Sequence, residues 1–177
     1  MSWHSAISPA GGPAWLDDRL RFQKTRLQKA YRQFARQADK EFTHSAAGEW
    51  ILDNYHVIRQ AWRQIREDMP KNFYRQLPKL DKPPLKGKPR IYRVALDAIQ
   101  ACQGDVKTEL LQEFLASYQE TTVLDIGEIW AFPVMLRLGV LDYLTLATGK
   151  IQNAEAPDKD PELSFLPELE TASDETA

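Results

Sequence analysis

The sequence predicts an all-α domain, a bundle of about five helices around a central apolar helix. Two observations carry that prediction. Apolar residues recur at helical spacing in successive segments, and all the prolines but Pro133 fall between or beyond those segments. A third concerns residues 126–146, which are apolar on nearly every side, as a helix enclosed by others must be.

Taken in order, residues 15–40 form the first helix. On a helical wheel Leu16, Leu20, Leu27, Tyr31, Phe34 and Ala38 share a narrow arc, while Arg19, Arg26, Lys29, Arg32, Arg36 and Lys40 fall opposite. Such a basic outer face suits a membrane surface or a nucleic acid, and equally a solvated face over a core. Ser45 is placed to cap the second helix, residues 46–69. Its stripe is Ala47, Trp50, Ile51, Tyr55, Ile58, Ala61, Trp62, Ile65 and Met69, with Asn54 in the middle, and Pro70 ends it. Residues 71–89 read as irregular, because Pro78, Pro83, Pro84, Gly87 and Pro89 break both helix and strand. Phe73, Tyr74, Leu77 and Leu80 indicate that this segment packs on the domain.

The third helix covers residues 90–102, with Ile91, Val94, Ala95, Ala98, Ile99 and Cys102 at core spacing and Gly104 closing it. Asp105 is the expected cap of the fourth, whose stripe is Val106, Leu110, Leu111, Phe114, Leu115 and Tyr118. The fifth runs from about Asp125 to about Thr148, and Gly149 ends it. Pro133 is expected to kink or divide it, since proline lacks an amide proton and crowds the preceding turn. The domain layout is then a flexible segment at 1–13, a helical domain at 14–150 and an acidic disordered tail at 151–177, where eight acids stand against one lysine.

Composition bounds the chemistry. The 177 residues suit one domain with tails, and five tryptophans, seven phenylalanines and six tyrosines supply a core. Cys102 stands alone, so neither an intramolecular disulfide nor a cysteine metal cluster is available, which fits a reducing compartment. Residues 1–13 lack the basic start and apolar run of a signal peptide. Glu128, Arg137 and Asp142 make residues 126–146 a poor membrane span. The net charge of -2 hides an asymmetry: residues 1–93 hold 19 Lys and Arg against 9 Asp and Glu, and residues 94–177 hold 4 against 16. The basic half suits an acidic partner, a phosphate or an anionic membrane, or simply the acidic half of the same chain.

No cofactor or metal site is expected. There is no glycine-rich phosphate loop, and His56 has one carboxylate near its helix face, too little for a metal. Glu49, Asp53, Glu67 and Glu128 are the carboxylates available for glycosidic chemistry, with no spacing that sets a pair across a cleft. Asn54, Glu128 and Arg137 lie on apolar faces and need partners, so a buried network joining the three is expected. Lys79, Lys82, Lys86, Lys88 and Arg90, with Tyr74 and Tyr92 nearby, form a candidate surface for an anion or a partner. The absence of a DNA or RNA motif argues against nucleic acid.

Six blocks, in order, carry a family resemblance. They are Glu49-Trp50-Ile51-Leu52-Asp53-Asn54-Tyr55-His56-Val57-Ile58, Ile65-Arg66-Glu67-Asp68-Met69-Pro70, Phe73-Tyr74-Arg75-Gln76-Leu77-Pro78-Lys79-Leu80, Pro89-Arg90-Ile91-Tyr92, Ala116-Ser117-Tyr118-Gln119-Glu120, and the run from Leu124 through Pro133 to Arg137. Together they resemble the N-terminal region of the bacterial cyclic β-1,2-glucan synthases, ahead of the membrane-embedded glycosyltransferase. The resemblance implies a link to UDP-glucose-dependent glucan synthesis. It also implies a cytoplasmic place, peripheral to the inner membrane, with synthase domains or the membrane surface as partners. It supplies no catalytic residue, because the chain is too short for the family's catalytic machinery. The expectation is therefore a noncatalytic accessory or fragment module. The alternatives are a freestanding carbohydrate- or protein-binding helical protein and a small carbohydrate-active enzyme. An open apolar patch would mark the module, and a carboxylate pair in a cleft the enzyme.

Overall fold

The computed structural model describes residues 6–7, 14–38, 46–152, 164 and 166. Their elements run β1 (Ala6–Ile7), α1 (Ala14–Ala38), α2 (Ala46–Asp68), α3 (Lys71–Gln76), β2 (Lys79–Leu80), α4 (Arg90–Ala101), α5 (Thr108–Thr121) and α6 (Ile126–Gln152). The all-α expectation holds, and the two short strands only pair Ala6 with Leu80 and Ile7 with Lys79, antiparallel.

α6 is central. It packs on α4, α1 and α2, and Ala131, Phe132, Val134, Met135, Leu138 and Leu141 are buried there. By length and composition it is apolar enough to cross a membrane, yet half of its apolar window is buried inside the protein, where a wholly enclosed Asp142 also lies. Pro133 does not divide it. The ring faces solvent, so the missing N–H leaves its carbonyl partner near water rather than in the core. Gly139 sets the approach of α4. A Cβ there would lie 2.8 Å from Ile99 Cδ1 and 3.1 Å from Leu96 Cδ2.

α1 buries Leu16, Leu20, Leu27, Ala30 and Phe34, close to the expected stripe. Arg19, assigned to the basic outer face, is instead 3% exposed and belongs to the interior. α2 buries Ile51, Ile58, Trp62 and Ile65 but turns Trp50 outward, against expectation. Ser45 lies outside the described residues.

Residues 71–89 are more ordered than the prolines suggest. α3 occupies their first six positions, and Tyr74, Leu77, Leu80 and Leu85 are buried. The loop closes on itself through Leu80 N to Lys88 O (2.9 Å), Gly87 N to Leu80 O (2.8 Å) and Arg90 N to Pro78 O (2.8 Å). Short-range bonds of this kind satisfy backbone groups where no helix ladder exists.

α4 ends in a two-bond Schellman arrangement. Gln103 N donates to Gln100 O and Gly104 N to Ile99 O, each at 2.9 Å. The left-handed residue at the first position past the cap is Gln103 (φ 50°), so the expected closing glycine acts one residue later, at φ 82°. α5 begins after Lys107, not Asp105. The Asp105 carboxylate accepts from Lys107 Nζ at 2.6 Å instead of capping the helix. α5 packs on α4 and has no fully buried residue.

The segments expected to be flexible or disordered, 1–13 and 151–177, lie mostly outside the described residues. Within them, Leu166 is buried against the main core.

Candidate functional site

The expected Asn54–Glu128–Arg137 network does not form. Asn54 Nδ2 donates to the Trp50 carbonyl one turn back on its own helix (2.8 Å), and Arg137 Nη1 reaches Asp68 Oδ2 at 3.5 Å near the surface. Local backbone acceptors satisfied the amide, so it needed no distant partner. Glu128 did need one, and found Arg90. Arg90 Nε donates to Glu128 Oε1 at 2.8 Å, and its Nη2 pairs closely with Oε2. The Glu128 side chain is wholly buried and also completes a capping box. Glu128 N donates to Asp125 Oδ1 (2.8 Å), and Asp125 N donates back to Glu128 Oε2 (3.2 Å). One carboxylate therefore starts α6 and ties it to the first residue of α4. The pairing holds the Arg90 guanidinium above its ordinary range.

The expected basic surface also comes apart. Lys82 and Lys86 are exposed, and Lys88 Nζ sits 4.9 Å over the Trp15 ring. Arg90 is committed to Glu128, and Tyr74 and Tyr92 are buried. Lys79 is 2% exposed and donates to the Tyr74 carbonyl (2.6 Å) and the Leu77 carbonyl (2.8 Å), with its Nζ 4.4 Å from the Tyr74 ring centre. Burial lowers its ammonium to about 8. Lys79 therefore closes the end of α3 from within, a role that its place in a proline-rich basic run concealed.

Missed altogether was a polar cluster at the centre of the fold. Asp142, on α6, is wholly buried. Its Oδ1 accepts from Arg19 Nε (2.7 Å) and Gln23 Nε2 (2.6 Å), and its Oδ2 accepts from the Tyr92 hydroxyl (2.5 Å). Gln23 Nε2 also reaches the Leu138 carbonyl (3.2 Å), while its Oε1 accepts from Trp62 Nε1 (3.3 Å). Burial pushes the Asp142 carboxyl up, and the Arg19 charge with the three donors opposes that. Burial likewise raises the Tyr92 hydroxyl well above its usual value. With both oxygens occupied and no solvent access, Asp142 joins α1, α2, α4 and α6 and has no room to act on a substrate. Asp142 and Gln23 interrupt otherwise apolar faces, and that was the available signal.

Cys102 is buried, and burial raises its thiol, so it stays protonated and packs. Among the described residues no group of His, Cys, Asp and Glu could hold a metal ion. Of the four candidate carboxylates, Glu49 and Asp53 are exposed, Glu128 is locked to Arg90, and Glu67 lines a cleft with cations.

Two surface features remain. The first is an apolar face at the start of α6. Val123 is 77% exposed, Ile126 72% and Trp130 73%, and Ile129 and Pro133 are exposed beside them. Ile126, Ile129, Trp130 and Pro133 follow one another at helical spacing, so they share a side of the helix. The second is an open cleft of about 530 Å³ between α1 and α2, lined by Leu20, Lys24, Tyr55, Trp62 and the arginines 59, 63 and 66.

The described residues thus form a helical body with a buried polar centre and an exposed apolar face at the start of α6. The family resemblance is borne out by a particular protein. The chain is 33% identical over 138 residues to the cyclic beta-(1,2)-glucan synthase NdvB of Rhizobium meliloti (strain 1021). The match takes in 77% of this chain and falls in the N-terminal part of that synthase. The chain spans only 5% of the synthase's length. No family model matches the chain, and no solved structure matches it.

Proposed function

We propose that this chain is a noncatalytic helical module of β-glucan synthesis, which docks through the face of Val123, Ile126, Ile129 and Trp130 onto further glucan-synthase sequence. The observation that carries the proposal is that face, a run of large apolar side chains left open at the start of the central helix. Burying each large apolar side chain contributes ~1.5–3 kcal/mol, so leaving several together in water is unfavourable unless something covers them. Similarity to a small part of a much longer synthase supplies a reason for the cover to be the rest of such a protein. The module works at the cytoplasmic side of the inner membrane, where its partner would be embedded. Catalysis by the chain itself is disfavoured because, among the described residues, Glu67 is the only carboxylate lining the cleft.

The test uses membranes containing a glucan synthase from which the matching N-terminal segment has been deleted. The chain is expected to sediment with those membranes and not with membranes lacking the synthase. Ile126→Ser with Trp130→Ser should abolish this while leaving the helical circular dichroism intact. Equal sedimentation of the variant would show that this face is not the dock.

A further inference from the structure

The cleft between α1 and α2 combines four cations with an aromatic floor. Arg59, Arg63 and Arg66 follow one another at four and three residues along α2, which stacks them on one side of the helix, and Lys24 faces them from α1. Among the described residues none of these four forms an ion pair, although Glu67 shares the cleft. Like charges at such spacing destabilise a helix. Here four cations gather on the walls of a recess with Glu67 as the one carboxylate among the lining residues described, which leaves the cleft positive.

The floor is apolar and held in place. Tyr55 stacks on Tyr31, with ring centres 4.3 Å apart, and meets Trp62 edge-on at 6.3 Å. Trp62 in turn donates its indole N–H to Gln23, which is fixed by Asp142. Leu20 completes the floor. Burial raises the Tyr55 hydroxyl while Arg59 and Arg32 pull it down, so that tyrosine lies within the field of the cations. A volume of about 530 Å³ falls within the usual range for small-molecule sites.

We propose that this cleft binds a soluble organic phosphate, with its phosphate oxygens on the arginines and Lys24 and an attached ring against Tyr55 and Trp62. Guanidinium groups offer paired N–H donors that match phosphate oxygens, and an aromatic floor accepts the face of a ring. The recess distinguishes this from a flat basic patch suited to a membrane, since a lipid headgroup at a surface has no need of a walled aromatic base. The site is separate from the open face of α6 and does not depend on what covers that face.

Isothermal titration of the full chain at low salt tests it, with inorganic pyrophosphate and adenosine diphosphate as probes. Both should bind, the nucleotide several-fold more tightly because it adds a ring. Arg59→Gln with Arg63→Gln should weaken both at least tenfold. Tyr55→Leu should weaken the nucleotide and spare pyrophosphate. Lys82→Gln with Lys86→Gln, outside the cleft, should leave both unchanged. The proposal is overturned if neither probe binds the wild-type chain, if the arginine variant binds as well as wild type, or if only phosphatidylglycerol vesicles are retained.

Discussion

Replacing Asp142 with Asn removes one negative charge and almost no volume, and the structure indicates what that costs. Arg19, 3% exposed, loses the carboxylate charge that its Nε meets at 2.7 Å. Removing one partner of a buried ion pair costs ~3–5 kcal/mol. Total stabilities run to only ~5–15 kcal/mol, so this is a large fraction. With a urea slope of ~2 kcal/mol per M, a loss of ~4 kcal/mol moves the unfolding midpoint down by ~2 M. Tryptophan fluorescence reports the transition, since Trp62 is linked to the cluster through Gln23. The combination Arg19→Met, Tyr92→Phe and Asp142→Leu removes the charges and one of the orphaned donors together. It should be more stable than Asp142→Asn alone, because the Arg19 charge is removed together with the carboxylate that it pairs with. A midpoint within ~0.3 M of wild type for Asp142→Asn, against a slope of that size, would refute the reasoning. So would a triple variant that is less stable than the single one.

Two further expectations concern Lys79 and Gly139. Burial holds Lys79 near 8 in the folded protein, below the ordinary 10.5. The unfolded chain therefore binds more protons between about 8 and 10.5, so stability rises with pH across that window and loses this contribution as pH falls from 10.5 to about 8. Urea midpoints followed from neutral pH to just below the tyrosine range should show that rise, and Lys79→Met should flatten it; the same slope in both proteins would count against the buried ammonium. Gly139→Ala sets a helix-propensity gain of ~1 kcal/mol against the 2.8 Å approach to Ile99 Cδ1. The two should nearly cancel in the wild-type background. In an Ile99→Val background the closer methyl is gone while Leu96 Cδ2 at 3.1 Å remains, so Gly139→Ala should be more favourable there than in wild type, and an equal effect in both backgrounds would show that the Ile99 contact does not matter.

What the sequence revealed followed the range of the interactions involved. α1, α2, α4, α5 and α6 were legible because each repeats an apolar pattern over three or more turns. α3 was not, since six residues between prolines carry too little periodicity. A helical wheel put Arg19 outside because it weighs only neighbours on one helix, while the residue that draws Arg19 inward lies 123 positions away. Lys79 was misplaced for a related reason: its acceptors are carbonyls, which no side-chain pattern displays. For Glu128 the demand for a partner was readable from its apolar surroundings, but the identity of Arg90 was not. The blocks resembling glucan synthases were legible as a series. The cleft was not, because it needs Lys24 of α1 beside three arginines of α2.

α5 has no fully buried residue and rests chiefly on α4, whereas α4 and α6 enclose each other. The free energy needed to expose backbone amides to solvent exchange is therefore unevenly distributed. Amides of α5 should open at a fraction of the global unfolding free energy, and those of α4 and α6 should exchange last. What limits the peeling of α5 is the connection that follows it. Arg90 Nη2 donates to the Val123 carbonyl at 3.2 Å while the same side chain grips Glu128. A single arginine thus separates two regimes of exchange: an outer helix that breathes, and an inner pair that moves only when the whole domain does.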